Sequence, residues 1–401
     1  MKKQVLSLLI ILMTLQAFAQ TEKPKEEKKW FEKMKLGGYA QLRYNRLLET
    51  NPDLRSENND RSWGKNNSFY FRRLRLVYSG QISDRIFGYI QIESASNIKT
   101  TSENFMYLQI RDAYFDYGLD SKNEFRFRFG QSKVPFGFDN LQSSSVRLSF
   151  DRTDALNSGA PNERDLGAYF LWSPEKVRKL QKDTLTSNGL KGSGDYGVFM
   201  VGIYNGQTMN KPELNDQVHI AAKVSYPFRF GNQIFEPGVM AYAGRYVLPA
   251  DLISTGVTTT NDKEYDDQRI AAGFILQPKP FGLVAEYNIG TGPQYSFISN
   301  SITNQKLQGG YILASYRKIN KKNQIIQPFV RCQYYEGGKK LEKDARAYKL
   351  NETEYGIEYQ ISKNMEVTAS WVNSHRITKD AALTNYDEKG SLLRLQLQIN
   401  Y

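Results

Sequence analysis

The chain has 401 residues and carries 54 Lys and Arg against 42 Asp and Glu, a formal net charge of +12. Its single cysteine, Cys332, excludes an intramolecular disulfide framework, and the basic balance points to an anionic partner. A hydrophobic share of 40% is low for such a length, and no linker or shift in composition divides the interior into domains.

Lys2 and Lys3 precede the apolar run 5–15, and the small-residue site Ala17-Phe18-Ala19 follows. This is the layout of a cleavable secretory signal, so residues 1–19 are expected to be removed and the mature chain to begin at Gln20. A membrane anchor needs about 18 or more consecutive apolar residues, and Gln16 closes this run too soon. Residues 20–35, dense in Lys and Glu, read as a short, solvated periplasmic lead-in. No later apolar run is long enough for a membrane helix. A barrel strand needs apolar residues only at alternate positions, so a membrane protein of this class can look hydrophilic overall.

Residues 36–401 read as a barrel. Alternation predicts strands at 36–45, 68–80, 87–95, 105–117, 124–130, 165–172, 196–204 and 219–226. It predicts eight more at 235–247, 268–277, 281–289, 310–317, 325–335, 348–361, 365–373 and 392–401. The last has the clearest pattern: Leu393, Leu395, Leu397, Ile399 and Tyr401 alternate with Arg394, Gln396, Gln398 and Asn400. A terminal aromatic residue also resembles the signal read by the outer-membrane assembly machinery. The fold class expected is all-β, a 16-stranded antiparallel transmembrane barrel of the outer membrane, an even count as bacterial barrels require.

The connections support this, because such barrels alternate short periplasmic turns with longer extracellular loops. Long 46–67 is followed by short 81–86, longer 96–104 and short 118–123. Later, 278–280, 318–324 and 362–364 are short, and 290–309, 336–347 and 374–389 are longer. The stretch 173–195 breaks the rule: either it is an elaborated turn or the strand count is wrong there.

Enzyme chemistry finds no footing. His219 and His375 are far apart, no Gly-x-Ser-x-Gly elbow or His-Glu-x-x-His pair occurs, and Gly290-Thr291-Gly292 is too short to cradle a phosphate. No catalytic residue, cofactor or metal is expected, and no basic helix or RNA-binding aromatic motif suggests nucleic acid.

The informative residues are arginines on the polar phase of early strands. With Phe125, Phe127 and Phe129 facing lipid, Arg126 and Arg128 turn to the lumen. Leu74, Leu76 and Tyr78 likewise set Arg73 and Arg75 inward and Arg72 outward, and Arg43 is inward on the first strand. An arginine facing lipid at mid-depth costs about 2–4 kcal/mol, which gives the assignment its force. Glu93, Asp112 and Asp116 are candidate counter-charges. The longest loop of the extracellular series, 131–164, adds Lys133, Arg147, Arg152 and Arg164. Guanidinium groups bind oxyanions in a fork and stay charged at any working pH. The later strands show few alternating arginines, with Arg245 and Arg269 isolated.

The run Gly130-Gln131-Ser132-Lys133-Val134-Pro135-Phe136-Gly137, together with Arg164-Asp165-Leu166-Gly167, resembles the signature of the phosphate-selective porins of the O and P type. Phe71-Arg72-Arg73-Leu74-Arg75-Leu76, Arg111-Asp112-Ala113-Tyr114 and Tyr204-Asn205-Gly206 add to the likeness. The resemblance implies a sixteen-stranded trimeric outer-membrane channel, with an arginine ladder leading to a lysine-containing constriction formed by a loop folded into the barrel. Lys133 matches the motif lysine, and Arg73, Arg75, Arg126 and Arg128 lie on strands matching ladder-bearing ones. The partners implied are outer-membrane lipid and lipopolysaccharide, small anionic solutes, and two further copies of the chain. The leading expectation is passive diffusion of phosphate-like anions. A general diffusion porin with weak anion bias and a non-channel barrel, scaffold or enzyme, stay open on the residues alone.

Overall fold

The computed structural model describes residues 29–54, 63, 67–96, 106–384 and 386–401, so the expected leader and residues 20–28 of the lead-in lie outside the described residues. A single 3-10 turn, Trp30–Lys33, leads into the first strand. The first half of the barrel comprises β1 (Met34–Leu47), β2 (Ser68–Gln81), β3 (Ile86–Ser96), β4 (Met106–Gly118), β5 (Phe125–Lys133), β6 (Arg164–Trp172), β7 (Phe199–Tyr204) and β8 (His219–Ser225, resumed as Phe228–Phe230). The second comprises β9 (Gln233–Val247), β10 (Glu264–Leu276), β11 (Phe281–Ser296), β12 (Ser301–Tyr316, resumed as Lys318–Ile319), β13 (Ile325–Gly338), β14 (Ala347–Ser362), β15 (Met365–Lys379) and β16 (Tyr386–Asn400). Each strand pairs antiparallel with the next, and β16 pairs with β1, Tyr39 opposite Asn400. The sixteen-stranded barrel is therefore closed, leaving no unpaired edge to be satisfied in lipid.

Alternation does what the sequence predicts on most strands. On β5, Phe125, Phe127 and Phe129 are 38–41% exposed on the outer face, whereas Arg126 and Arg128 are 9% and 2% exposed on the inner one. Bulges break the period, and two of them turn extra arginines inward. Gln41 faces Arg73 and Leu42 faces Phe71, so Arg72 is the extra residue and turns inward beside Arg73, against the outward assignment from alternation. Gln91 faces Asp112 and Ile92 faces Ile110, so Arg111 and Asp112 both enter the lumen.

All sixteen predicted strands are present, but several run further toward the loop side. Residues 290–309, expected as a long loop, instead extend the β11–β12 hairpin up to Ser296 and Ser301. The polar run Thr303-Asn304-Gln305-Lys306 lacks a lipid-facing pattern because this part of the hairpin projects beyond the apolar band. The stretch 173–195 is an elaborated turn, so the strand count stands. It carries a short helix, Glu175–Lys179, and a π-helical turn, Leu180–Thr186. Leu185 and Leu190 pack on Ile234, and Lys191 pairs with Glu358 at 2.7 Å, so the turn reaches across the barrel's short-turn end.

The connection 134–163 between β5 and β6 folds into the lumen. Phe136, Phe138, Leu141 and Leu156 are fully buried against Tyr169, Met200, Tyr242 and Tyr335 of the wall. Each such side chain contributes on the order of 1.5–3 kcal/mol on burial, giving a core inside the barrel rather than around it. Polar ties complete the seat: Phe138 N and Asp139 N donate to Glu286 of β11 at 2.6 and 2.9 Å, and Arg269 of β10 donates to Ser158 Oγ at 2.8 Å.

Candidate permeation path

Strand register sets the first layer of charge. On adjacent strands Arg128 stands directly opposite Asp116 and Arg75 opposite Glu93, which places each guanidinium within reach of a carboxylate. Arg128 Nε and Nη2 donate to Asp116 at 2.7 and 2.9 Å, a fork geometry, and its guanidinium lies 4.0 Å from the Tyr114 ring centroid. Arg126 donates to Asp195 of the long turn at 3.0 Å. Arg75 pairs with Glu93 at 2.5 Å and donates to the Tyr39 hydroxyl at 2.7 Å, while Arg73 donates to Gln41 at 3.0 Å. The candidate counter-charges Glu93, Asp112 and Asp116 each pair with a lumen arginine: Arg75, Arg164 and Arg128 respectively.

Between these layers lies a septum centred on Glu163. Its carboxylate pairs with Arg152 at 2.8 Å, with Arg111 at 3.3 Å and with Arg164. Arg164 also binds Asp112 at 3.0 Å. Burial pushes the Glu163 carboxyl up, but Arg152, Arg164 and Arg111 together hold it well below the usual carboxylate range. Both Asn162 and Glu163 adopt positive φ, 62° and 63°, a left-handed conformation uncommon for glutamate. Lys133 Nζ donates to the carbonyls of Leu141 and Gln142 at 2.7 and 3.0 Å, fixing the loop's first turn beside the septum.

Two chambers open on either side. The turn-side chamber, about 650 Å³, is lined by Arg126, Arg128, Lys133 and Arg164, joined by Arg85, Arg178, Lys191 and Lys363. Its acidic lining is Asp112, Asp116, Asp195 and Glu366, half as many groups. The loop-side chamber, about 600 Å³, is lined by Arg72, Arg73, Arg75 and Arg111. Six of the nine residues expected on the anion path therefore face open space.

The other three, Arg43, Arg147 and Arg152, line neither chamber. Arg43 donates to Asp151 at 2.9 Å and to the Phe150 carbonyl at 2.7 Å, and Arg147 donates to that same carbonyl at 3.0 Å. Arg152 is held in the septum. Asp151 is also bound by Arg394 of β16, and its carbonyl accepts from Arg331 of β13 at 2.7 Å. Although burial raises it, the Asp151 carboxyl is kept well below the ordinary range by Arg43 and Arg394.

Sequence reasoning missed Glu163 and Arg111, and it missed the late-strand arginines. Arg331, Arg376 and Arg394 are buried on the inner face, although the later strands show few alternating arginines. Each is the lone inward arginine of its strand, and Glu352 and Glu354 neutralise them: Arg331 pairs with Glu354 at 2.8 Å and Arg376 with Glu352 at 2.7 Å. Arg269 lines the seat of the loop, and Arg245 is exposed beside Glu264 and Asp266.

A closed antiparallel barrel of sixteen strands, with a long loop folded into a charged lumen, defines an outer-membrane porin. The chain belongs to the phosphate-selective porin O and P family, whose profile matches residues 48–401; it is a channel, not an enzyme. Among solved structures it is similar to the outer membrane channel DcaP of Acinetobacter baumannii, with a TM-score of 0.55 and 16% identity over 92% of this chain and 97% of that one. OmpF of Salmonella typhi gives 0.55 and 13% over 92% and 97%. An anion-selective porin from Comamonas acidovorans gives 0.52 and 10% over 92% and 99%. At these identities the likeness establishes the fold alone. No curated protein sequence matches the chain.

Proposed function

We propose that this porin passes small anions by passive diffusion, with preference for phosphate-like oxyanions, along the wall built by β2, β4, β5 and β6. The observation that carries the reading is the continuity of cationic groups on that wall. Arg73, Arg75 and Arg111 line the loop-side chamber, while Arg164, Lys133, Arg128 and Arg126 line the turn-side one. The carboxylates beside them weaken each site without cancelling the field, since cationic groups are twice the acidic ones around the turn-side chamber. Weak successive sites are what conduction requires, because an anion must enter readily and still leave. In this reading Arg43, Arg147 and Arg152 shape the path by holding the loop. The chain is exported through the leader 1–19, stands in outer-membrane lipid and lipopolysaccharide, and assembles as a homotrimer.

The test is the reversal potential of purified protein in a planar bilayer under a potassium chloride gradient, repeated with phosphate added. An anion-selective conductance that phosphate reduces is expected. A nearly unselective conductance would leave a general diffusion porin, and none from folded, inserted protein would turn the reading toward a scaffold. Cross-linking in native membranes checks the trimer.

A further inference from the structure

The loop-side chamber is built from two chemistries that a path for inorganic ions alone does not need. Its cationic side comes from β2 and β4, through Arg72, Arg73, Arg75 and Arg111, with Lys211 at the mouth. Much of the apolar wall comes from further round the barrel. Tyr246 lies near the end of β9, Pro249 and Leu252 follow that strand, and Leu341 lies between β13 and β14. Pro212 and Leu214, between β7 and β8, extend the apolar surface outward. Three carboxylates, Glu93, Glu163 and Asp251, face the five cations, leaving a net charge of +2. Tyr246 is fully buried, and its hydroxyl has no hydrogen-bond partner among the described residues.

We infer that this chamber binds organic anions in which one oxyanion head is joined to an apolar ring or short chain. This rests on the anion-preferring reading above and adds the kind of anion. The head, carrying one or two negative charges, sits against Arg73, Arg75 and Arg111, where planar guanidinium groups offer paired donors. The apolar body lies against Leu252 and Leu341, beside the Tyr246 ring. Inorganic phosphate uses only the arginine side. A chamber of about 600 Å³ falls within the roughly 300–1,000 Å³ typical of small-molecule sites, whose walls combine apolar surface with a few placed polar groups. Glu163 and Arg111 of the septum line its inner end.

The experiment compares phenyl phosphate with inorganic phosphate as blockers of chloride current, each added to the loop side of the protein in a planar bilayer. Phenyl phosphate is expected to halve the current at a concentration about tenfold lower than phosphate, the size of effect a buried ring produces. In the Leu252→Asn/Leu341→Asn variant that advantage should vanish, while block by inorganic phosphate and the reversal potential in potassium chloride stay as in the wild type. Equal potency of the two blockers on a wild-type channel that remains anion-selective overturns this inference and leaves the porin reading intact. An advantage that persists in the variant overturns the assignment to this chamber. Loss of anion selectivity in potassium chloride alone overturns the underlying reading.

Discussion

On the wall formed by β2 to β6, Arg73, Arg75, Arg126, Arg128 and Arg164 have carboxylate or amide partners and still line open chambers. On the wall formed by β13 to β16 and β1, Arg331, Arg376, Arg394 and Arg43 end on Glu352, Glu354 and Asp151, beneath the folded loop, and line neither chamber. The residue type is the same and the burial is similar, so neither distinguishes the two walls. What differs is whether the guanidinium borders space that an ion can occupy. A buried ion pair contributes little net stability, because desolvation offsets the attraction, but breaking one is costly. Such pairs suit a clamp that holds one loop position, and the late wall uses them so. The early wall leaves its charges beside open chambers.

The largest effect should come from breaking the clamp. Asp151→Ala removes the carboxylate shared by Arg43 and Arg394 and is expected to destabilise the loop's seat by about 3–5 kcal/mol. Limited proteolysis should then cut within 138–160, and single-channel conductance should rise as the loop leaves the lumen; an uncut loop would show that the apolar seat suffices. Next, Lys133→Met removes one charge beside the septum. At about 1 kcal/mol for a unit charge near 4 Å in a water-like medium, block by phosphate should weaken about fivefold, as read from current titrations. A smaller change is expected from Glu163→Gln, which removes the central carboxylate and keeps its shape. Chloride conductance should increase about twofold in 0.1 M salt and converge on the wild type at 1 M, where the screening length falls to roughly 3 Å. Arg245→Gln should do least. Its pairs with Glu264 and Asp266 are exposed, surface pairs of this kind contribute about 0–1 kcal/mol, and neither the unfolding midpoint nor the selectivity should move.

The two walls also differ in how much of them is legible along the chain. On the early wall, Arg126 and Arg128 flanked by three phenylalanines announce their side of the sheet, because period two is the geometry of a strand. Arg72 and Arg111 escaped that logic because each sits at a bulge, where one added residue reverses the side on which its neighbours fall. The late wall was illegible for a different reason. One inward arginine per strand makes no pattern along the chain, and its meaning depends on register: Arg331 opposite Glu354, and Ser370 opposite Arg394. Glu163 is the extreme case, a single loop carboxylate whose role exists only once Arg111, Arg152 and Arg164 converge from a strand, a loop and another strand. The turn 173–195 was flagged by its length, yet its packing on Ile234 and its pair with Glu358 required the closed barrel.

The central claim is that anions follow the early wall and that the late wall only holds the loop. The direct measurement is the reversal potential under a potassium chloride gradient for two double variants, Arg126→Ala/Arg128→Ala and Arg331→Met/Arg376→Met, beside the wild type. Anion preference should fall severalfold in the first and stay at the wild-type value in the second, provided both insert as folded barrels. Equal loss in both, or loss only in the second, would contradict the division between the walls.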